Sequence, residues 1–276
     1  MMMPLIKKED YYISKEIKKQ FDKSKEIVMN ADQDRIFIIT GREGSGKSWL
    51  AMQMAAYLDP TFSLDNVCFT TEQFGSRIRS VDKYKSIVFD EAFRGLSSKG
   101  ALSKENKKLI KILIECRQRN LFIFIVLPSI FILDRYIALF RSHGLFHTAI
   151  YKKDYKKRYY KSYNFKTKHM LYILGQKYLS YNKPKIYKKH MFYGKLPASI
   201  SKEAYQNKKS ESFREAEVEE DPALTRSFVQ RDTMIRLLKN TTKITLVSIA
   251  KALEDAGQPL TSVQIGRIAR KTPKTT

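Results

Sequence analysis

The stretch "IFIITGREGSGKSWLAMQMAAYL", residues 36–58, decides the fold. An apolar run of strand length reaches a glycine-rich turn, and a pattern of good helix formers follows without interruption. Within it, "GREGSGKS" from Gly41 to Ser48 satisfies G-x-x-x-x-G-K-[ST] and stands between a predicted strand and a predicted helix. The spacing has a physical purpose. Gly41, Gly44 and Gly46 let the backbone wrap so that its N–H groups face inward, and the helix start adds partial positive charge at the same point. Gly41, Arg42, Glu43, Gly44, Ser45, Gly46, Lys47, Ser48 and Trp49 are therefore assigned to phosphate binding. Lys47 reaches the terminal phosphates and the Ser48 hydroxyl serves as a ligand for Mg²⁺.

A second element completes such a site. "SIVFDEA" ends an apolar strand in Asp90 and Glu91. A carboxylate at the sheet's carboxyl edge can hold Mg²⁺ or its water, and the next can orient and deprotonate an attacking water. Asp90 is therefore assigned to the metal and Glu91 to the water. Ser129, after the next buried strand and Pro128, is the candidate sensor of the terminal phosphate. Among the helix-end arginines Arg117, Arg119 and Arg141, Arg117 is the favoured group to neutralise charge on a neighbouring subunit's phosphate; helix-end bases also serve as ordinary dipole partners.

Working outward, strands at Arg35–Thr40, Val67–Thr70, Ser86–Asp90, Leu121–Leu127 and Leu145–Tyr151 alternate with helices at Lys47–Leu58, Glu72–Arg79, Lys104–Cys116 and Leu133–Arg141. That alternation implies right-handed crossovers and a mostly parallel α/β sheet covered on both faces. Apolar residues near helical spacing before residue 34 predict an amphipathic lead-in helix. The predicted layout is a lead-in over 1–34, the P-loop core over 35–151, a basic Tyr- and Lys-rich β-rich extension over 152–200, an acidic linker or solvated helix over 201–224, and a helical module over 225–276. In the last, Thr261 and Gln264 form a capping-box pattern, and the helix pair resembles a helix-turn-helix with Gln264, Arg267, Arg270 and Lys271 on its final helix.

Composition narrows the partners. Fifty-two Lys and Arg against 28 Asp and Glu leave a net charge of +24, which favours a polyanion. Between Tyr151 and Lys195 the only acid is Asp154, and tyrosines are interleaved with the lysines. Lysines neutralise phosphates and tyrosines stack on unpaired bases, so this segment is expected to grip nucleic acid, DNA above all, without reading it. A small β core with a solvated basic face is the plainer alternative. The two cysteines, Cys68 and Cys116, lack metal-ligand spacing and read as reduced core residues. The most apolar run, Leu121–Leu133, is shorter than the roughly 20 residues a membrane helix needs. No export signal is read at the start, and a cytoplasmic setting without membrane insertion is expected.

The phosphate loop, the "IVFDEA" acid pair and "ECRQRNLFIFIVLPSIFILDRYIALFR" together resemble the additional-strand P-loop ATPases (RecA-like in the wider sense). They are most similar to the FtsK/HerA branch, with its DNA-pumping motors, viral packaging ATPases and zonular-occludens-toxin-like phage proteins. The resemblance spans roughly residues 35–151. It implies ATP with Mg²⁺ as cofactors, a homo-oligomeric ring, usually a hexamer, an arginine acting in trans, and loops that hold DNA. On this reading the chain is an ATP-hydrolysing DNA motor for translocation or packaging in a phage, virus or mobile element. Two alternatives stay open: a nucleotide-switched replication, partition or regulatory factor, and a small-molecule P-loop kinase.

Overall fold

The structure is a computed structural model that describes residues 11–90, 92, 99–151, 153–218, 230–235, 237–239, 244–255 and 260–270. Glu91 lies outside the described residues. Among those described, seven strands form one sheet in the order β2-β3-β4-β1-β5-β6-β7. The strands are β1 (Arg35–Gly41), β2 (Val67–Cys68), β3 (Ser86–Phe89), β4 (Phe122–Leu127), β5 (Gly144–Tyr151), β6 (Asp154–Tyr163) and β7 (Lys188–Phe192). The first five pair in parallel; β6 and β7 add antiparallel at the β5 side.

The order carries the functional geometry. Strand β4 lies between β1, which runs into the glycine-rich loop, and β3, which stops one residue before Asp90. The chain order reverses around β1, and the crevice outside the carboxyl ends of parallel strands at such a switch point is where ligands bind.

Each face of the sheet is covered because its strands are apolar on both sides. Along β1, Phe37 and Ile39 enter one cluster with Phe124, Val126 and Phe146, whereas Ile36 and Ile38 enter the other with Ile123, Ile125 and Leu127. The period of two splits one continuous apolar run between two cores. Helices α1 (Lys15–Asn30) and α2 (Lys47–Leu58) supply the first face. Helix α1 starts at Ser14, whose side chain accepts from the Ile17 amide, and it buries Ile17, Phe21 and Val28. Helices α3 (Thr71–Ser80), α4 (Lys99–Glu115) and α5 (Phe165–Gln176) supply the second through Phe74, Leu109, Leu113 and Leu171. Fully burying each such side chain is worth about 1.5–3 kcal/mol.

Three elements depart from the sequence-based expectation. The strand expected over Val67–Thr70 ends at Cys68, because Thr70 instead caps α3, its side chain accepting from the Gln73 amide. Over Leu133–Arg141 a π-helical turn, Tyr136–Arg141, replaces a plain α-helix, and the Ser142 amide donates to the Ile137 carbonyl at 3.0 Å. The basic extension contributes β6 and β7 as expected, but its middle forms α5, capped by Asn164 accepting from the Thr167 amide. Both added strands join the same sheet as the phosphate loop.

The segment read as an acidic linker begins as helix α6 (Lys202–Val218). Two compact units result, residues 1–213 and 214–276. In the second, helices Leu246–Asp255 and Ser262–Arg270 enclose a small core of Ile249 and Ile265. The capping box forms as read: the Thr261 amide donates to Gln264 Oε1 at 2.9 Å and the Gln264 amide to Thr261 Oγ1 at 3.3 Å. Gln264 is exposed. The side chains of Arg267 and Arg270, and Lys271 as a whole, lie outside the described residues. Among the described residues no helix is long and apolar enough to cross a membrane.

Candidate functional site at the carboxyl edge of the sheet

The glycine-rich loop takes the shape its sequence demands. Gly44 and Gly46 sit at φ +70° and +88°, conformations that side chains other than glycine's rarely adopt. A Cβ on Gly46 would lie 2.6 Å from Phe192, and one on Gly41 would lie 2.1 Å from Thr148 Oγ1. Around Gly44 there is open space, so the mouth of the loop is clear while its base is tightly packed. Ser45 pins that base: its Oγ donates to the Arg42 carbonyl at 2.6 Å and lies 2.6 Å from Thr148 Oγ1, which donates to the Thr40 carbonyl at 3.0 Å. Lys47 Nζ reaches back to the Arg42 carbonyl at 3.1 Å. Arg42, Glu43 and Gly44 are exposed, Lys47 and Ser48 half-buried. Trp49 is half-buried and packs against the first core cluster.

Asp90 is fully buried beside this loop. Ser48 Oγ donates to Asp90 Oδ1 at 2.9 Å, so the hydroxyl and the carboxylate named from sequence converge. The loop and this pair meet the requirements of a phosphate and its metal. The cradle is one that Cβ atoms would fill, it opens at the N-terminus of α2, and the donor set consists of hard oxygens that suit Mg²⁺ shared with phosphate and water. Backbone N–H groups and Lys47 could hold phosphates there, and Ser48 and Asp90 could hold the metal. Mg²⁺, when bound, would offset negative charge on the phosphate oxygens.

The remaining sequence-based candidates fall at different places. Ser129 lies at the carboxyl end of β4 beside the loop, where the Gly41 amide donates to the Pro128 carbonyl at 3.4 Å. Its Oγ accepts from the Phe131 amide and lies 3.3 Å from the Tyr181 hydroxyl. Arg117 stands elsewhere. It is exposed in the short turn Cys116–Arg119, just before β4 begins, at the amino edge of the sheet. Strand β1 separates that edge from its own phosphate loop by about 20 Å. Arg119 donates to the Arg79 and Val81 carbonyls, and Arg141 forms a two-pronged ion pair with buried Asp34. Both are thereby engaged in holding the amino edge together.

Several residues at the site carry no motif and were not read from the sequence. Tyr181 donates no signal by spacing, yet its hydroxyl accepts from the Ile130 amide at 2.7 Å and its ring stacks on His147 at 3.6 Å. His147 Nδ1 lies 3.0 Å from Thr40 Oγ1. Burial first, and then Lys161, Lys47 and Arg42, hold this imidazole's pKa down to about 3, so it is neutral at physiological pH. Tyr205 is the other: its hydroxyl donates to Asp90 Oδ2 at 2.5 Å from helix α6. Only long-range packing brings these side chains here; nothing within a few residues of either marks it.

The family described as novel STAND NTPase 3 matches residues 17–193. Among solved structures, the N-terminal domain of zonular occludens toxin from Neisseria meningitidis is similar at 16% identity, over 63% of this chain and 98% of that one, with a TM-score of 0.36. The flagellar accessory protein FlaH from Methanocaldococcus jannaschii is similar at 15% identity, over 48% of this chain and 78% of that one, with a TM-score of 0.24. No curated protein sequence matches the chain.

Proposed function

The chain belongs to the novel STAND NTPase 3 family, and from that premise we propose that it hydrolyses ATP with Mg²⁺ and couples turnover to movement of DNA. Lys47 and the loop amides bind the phosphates, Ser48 and Asp90 hold the metal side, Glu91 orients and deprotonates the attacking water, and Ser129 contacts the terminal phosphate. Arg117 acts on the site of a neighbouring copy in a homo-oligomeric ring. Its place at the far edge of its own sheet supports a role in trans over one in cis.

One observation supports coupling to nucleic acid. The basic, tyrosine-rich strands are built onto the phosphate loop itself, with Phe192 of β7 and Arg158 of β6 both within 3.4 Å of the Cβ position of Gly46. On these strands Lys189 lies 4.2 Å from the centres of both the Tyr151 and Tyr159 rings, and Tyr155 is 79% exposed. A polyanion held by that surface would bear on the loop that holds the phosphates. Translocation or packaging of DNA for a phage, virus or mobile element is the activity this arrangement suits.

A second reading is a nucleotide-operated switch that turns over slowly. It draws support from the contact between Asp90 and α6, the helix that runs from the first compact unit into the second. The discriminating experiment is steady-state ATP hydrolysis with and without single- and double-stranded DNA, with Lys47→Ala and Glu91→Gln as controls. A many-fold DNA stimulation lost in both variants is expected for the motor. Slow hydrolysis indifferent to DNA, with ATP still bound, would reject it in favour of the switch.

A further inference from the structure

Asp90 joins two elements that have no sequence proximity. Its Oδ1 accepts from Ser48 at the start of α2, and its Oδ2 accepts from Tyr205 on α6. The carboxylate is fully buried and the tyrosine is 6% exposed, so their contact is shielded from water and correspondingly strong. The Tyr205 ring packs on Phe69 with ring centres 5.6 Å apart, whereas the hydroxyl points on to the carboxylate. Packing alone requires only the ring.

Two further positions of α6 are fastened along the same face. Lys208 Nζ donates to the Leu64 and Val67 carbonyls at 2.8 Å each, and Ser212 Oγ accepts from Gln73 Nε2 at 3.0 Å. Positions 205, 208 and 212 follow the three- and four-residue spacing of one helix face. The boundary between the two compact units falls after Phe213, inside this helix. The contact with Asp90 thus sits on the helix that continues past this boundary.

We propose that Tyr205 is a positioning residue for Asp90 that ties the metal side of the nucleotide site to α6, making the hold of the core on that helix depend on whether Mg²⁺-nucleotide is bound. This rests on the reading of Ser48 and Asp90 as the pair that holds the metal. The hydroxyl fixes which way the carboxylate faces, as outer-shell partners do for metal-holding groups. By linkage, a change in metal binding alters the hold on α6, and loosening α6 weakens metal binding by the same factor.

The test uses the full chain and its single tryptophan, Trp49, which follows Ser48 in sequence. Trp49 fluorescence is followed while Mg²⁺ is titrated into protein with a non-hydrolysable ATP analogue, and hydrogen exchange of residues 202–212 is measured with and without the complex. In Tyr205→Phe, which keeps the ring packing, analogue affinity in EDTA should stay at the wild-type value while the Mg²⁺ midpoint rises about tenfold or more. The nucleotide-dependent change in α6 exchange should vanish. Lys208→Ala loosens α6 without touching Asp90 and should raise the Mg²⁺ midpoint in the same direction. Unchanged Mg²⁺ midpoints in both variants, with α6 exchange still responding as in the wild type, would overturn the tie. A wild-type protein that binds the analogue with no Mg²⁺ dependence would instead reject the Ser48–Asp90 assignment and the inference with it.

Discussion

The two edges of the parallel sheet use the same residue types to opposite ends. At the amino edge three charges are consumed internally, while Arg117 is exposed: Arg141 pairs with Asp34, Arg119 caps two carbonyls, and Lys168 Nζ donates to the Ser142 hydroxyl at 2.6 Å and carbonyl at 2.5 Å. Burial holds that lysine's pKa down to about 7. At the carboxyl edge Arg42 and Glu43 of the loop are exposed, and the buried hydroxyls of Ser45 and Thr148 shape the backbone beneath them. The difference teaches that a basic residue near a predicted crevice is uninformative until its edge is known. An arginine at a helix end reads the same whether it holds the fold or awaits a phosphate.

The largest expected effects come from breaking the amino edge. Asp34→Asn should leave Arg141 buried without its counter-charge and cost about 3–5 kcal/mol of stability, read as a lowered denaturation midpoint, while the folded fraction still binds nucleotide. At the carboxyl edge, Lys47→Ala should cost about 10²–10³ in kcat, the range seen when one charge-stabilising donor is removed, with an unchanged denaturation midpoint. If instead both substitutions impaired stability and catalysis alike, the division between the edges would be false.

Acid should affect both edges in the same direction, and this sharpens the contrast in mechanism. His143 is held down to about 4 by burial first and then chiefly by Arg35, and His147 to about 3 by burial and then by Lys161, Lys47 and Arg42. The unfolded chain protonates both near 6.5, so it binds more protons than the folded chain below that pH. Stability contributed by the neutral rings is present above about 6.5 and falls as pH drops toward 4. Denaturation midpoints across that window should therefore fall, with a shallower slope in His147→Gln. The smallest effect should be that of Arg117→Ala on stability, within about 0.5 kcal/mol as for an exposed side chain; its effect on hydrolysis should emerge only at protein concentrations where copies associate.

Much of this is legible in the sequence. Gly41 to Ser48 and Asp90 could be placed because their chemistry is local: a loop that needs positive φ needs glycine, and a strand that ends in a crevice ends in a polar group. Helix α2 follows the expected span of Lys47–Leu58 because its formers are unbroken. Tyr205 and Tyr181 were illegible because each reaches the site from more than 50 residues away from its partner, Asp90 or Ser129, through packing that no periodicity encodes. Helix α5 was hidden for a related reason. Its burial of Lys168, Leu171, Tyr172 and Gly175 mixes polar and aromatic positions, so the apolar stripe that marks a helix is faint.

The most direct test of the account is calorimetric titration of a Mg²⁺-bound, non-hydrolysable ATP analogue into the wild type, Lys47→Ala and Arg117→Ala at concentrations where the protein is monomeric. The account predicts saturable binding to the wild type and to Arg117→Ala with equal affinity, and a loss of at least about a hundredfold in Lys47→Ala, in keeping with removal of a charged phosphate contact. Binding to Lys47→Ala as tight as to the wild type would contradict the assignment of the carboxyl edge as the nucleotide site.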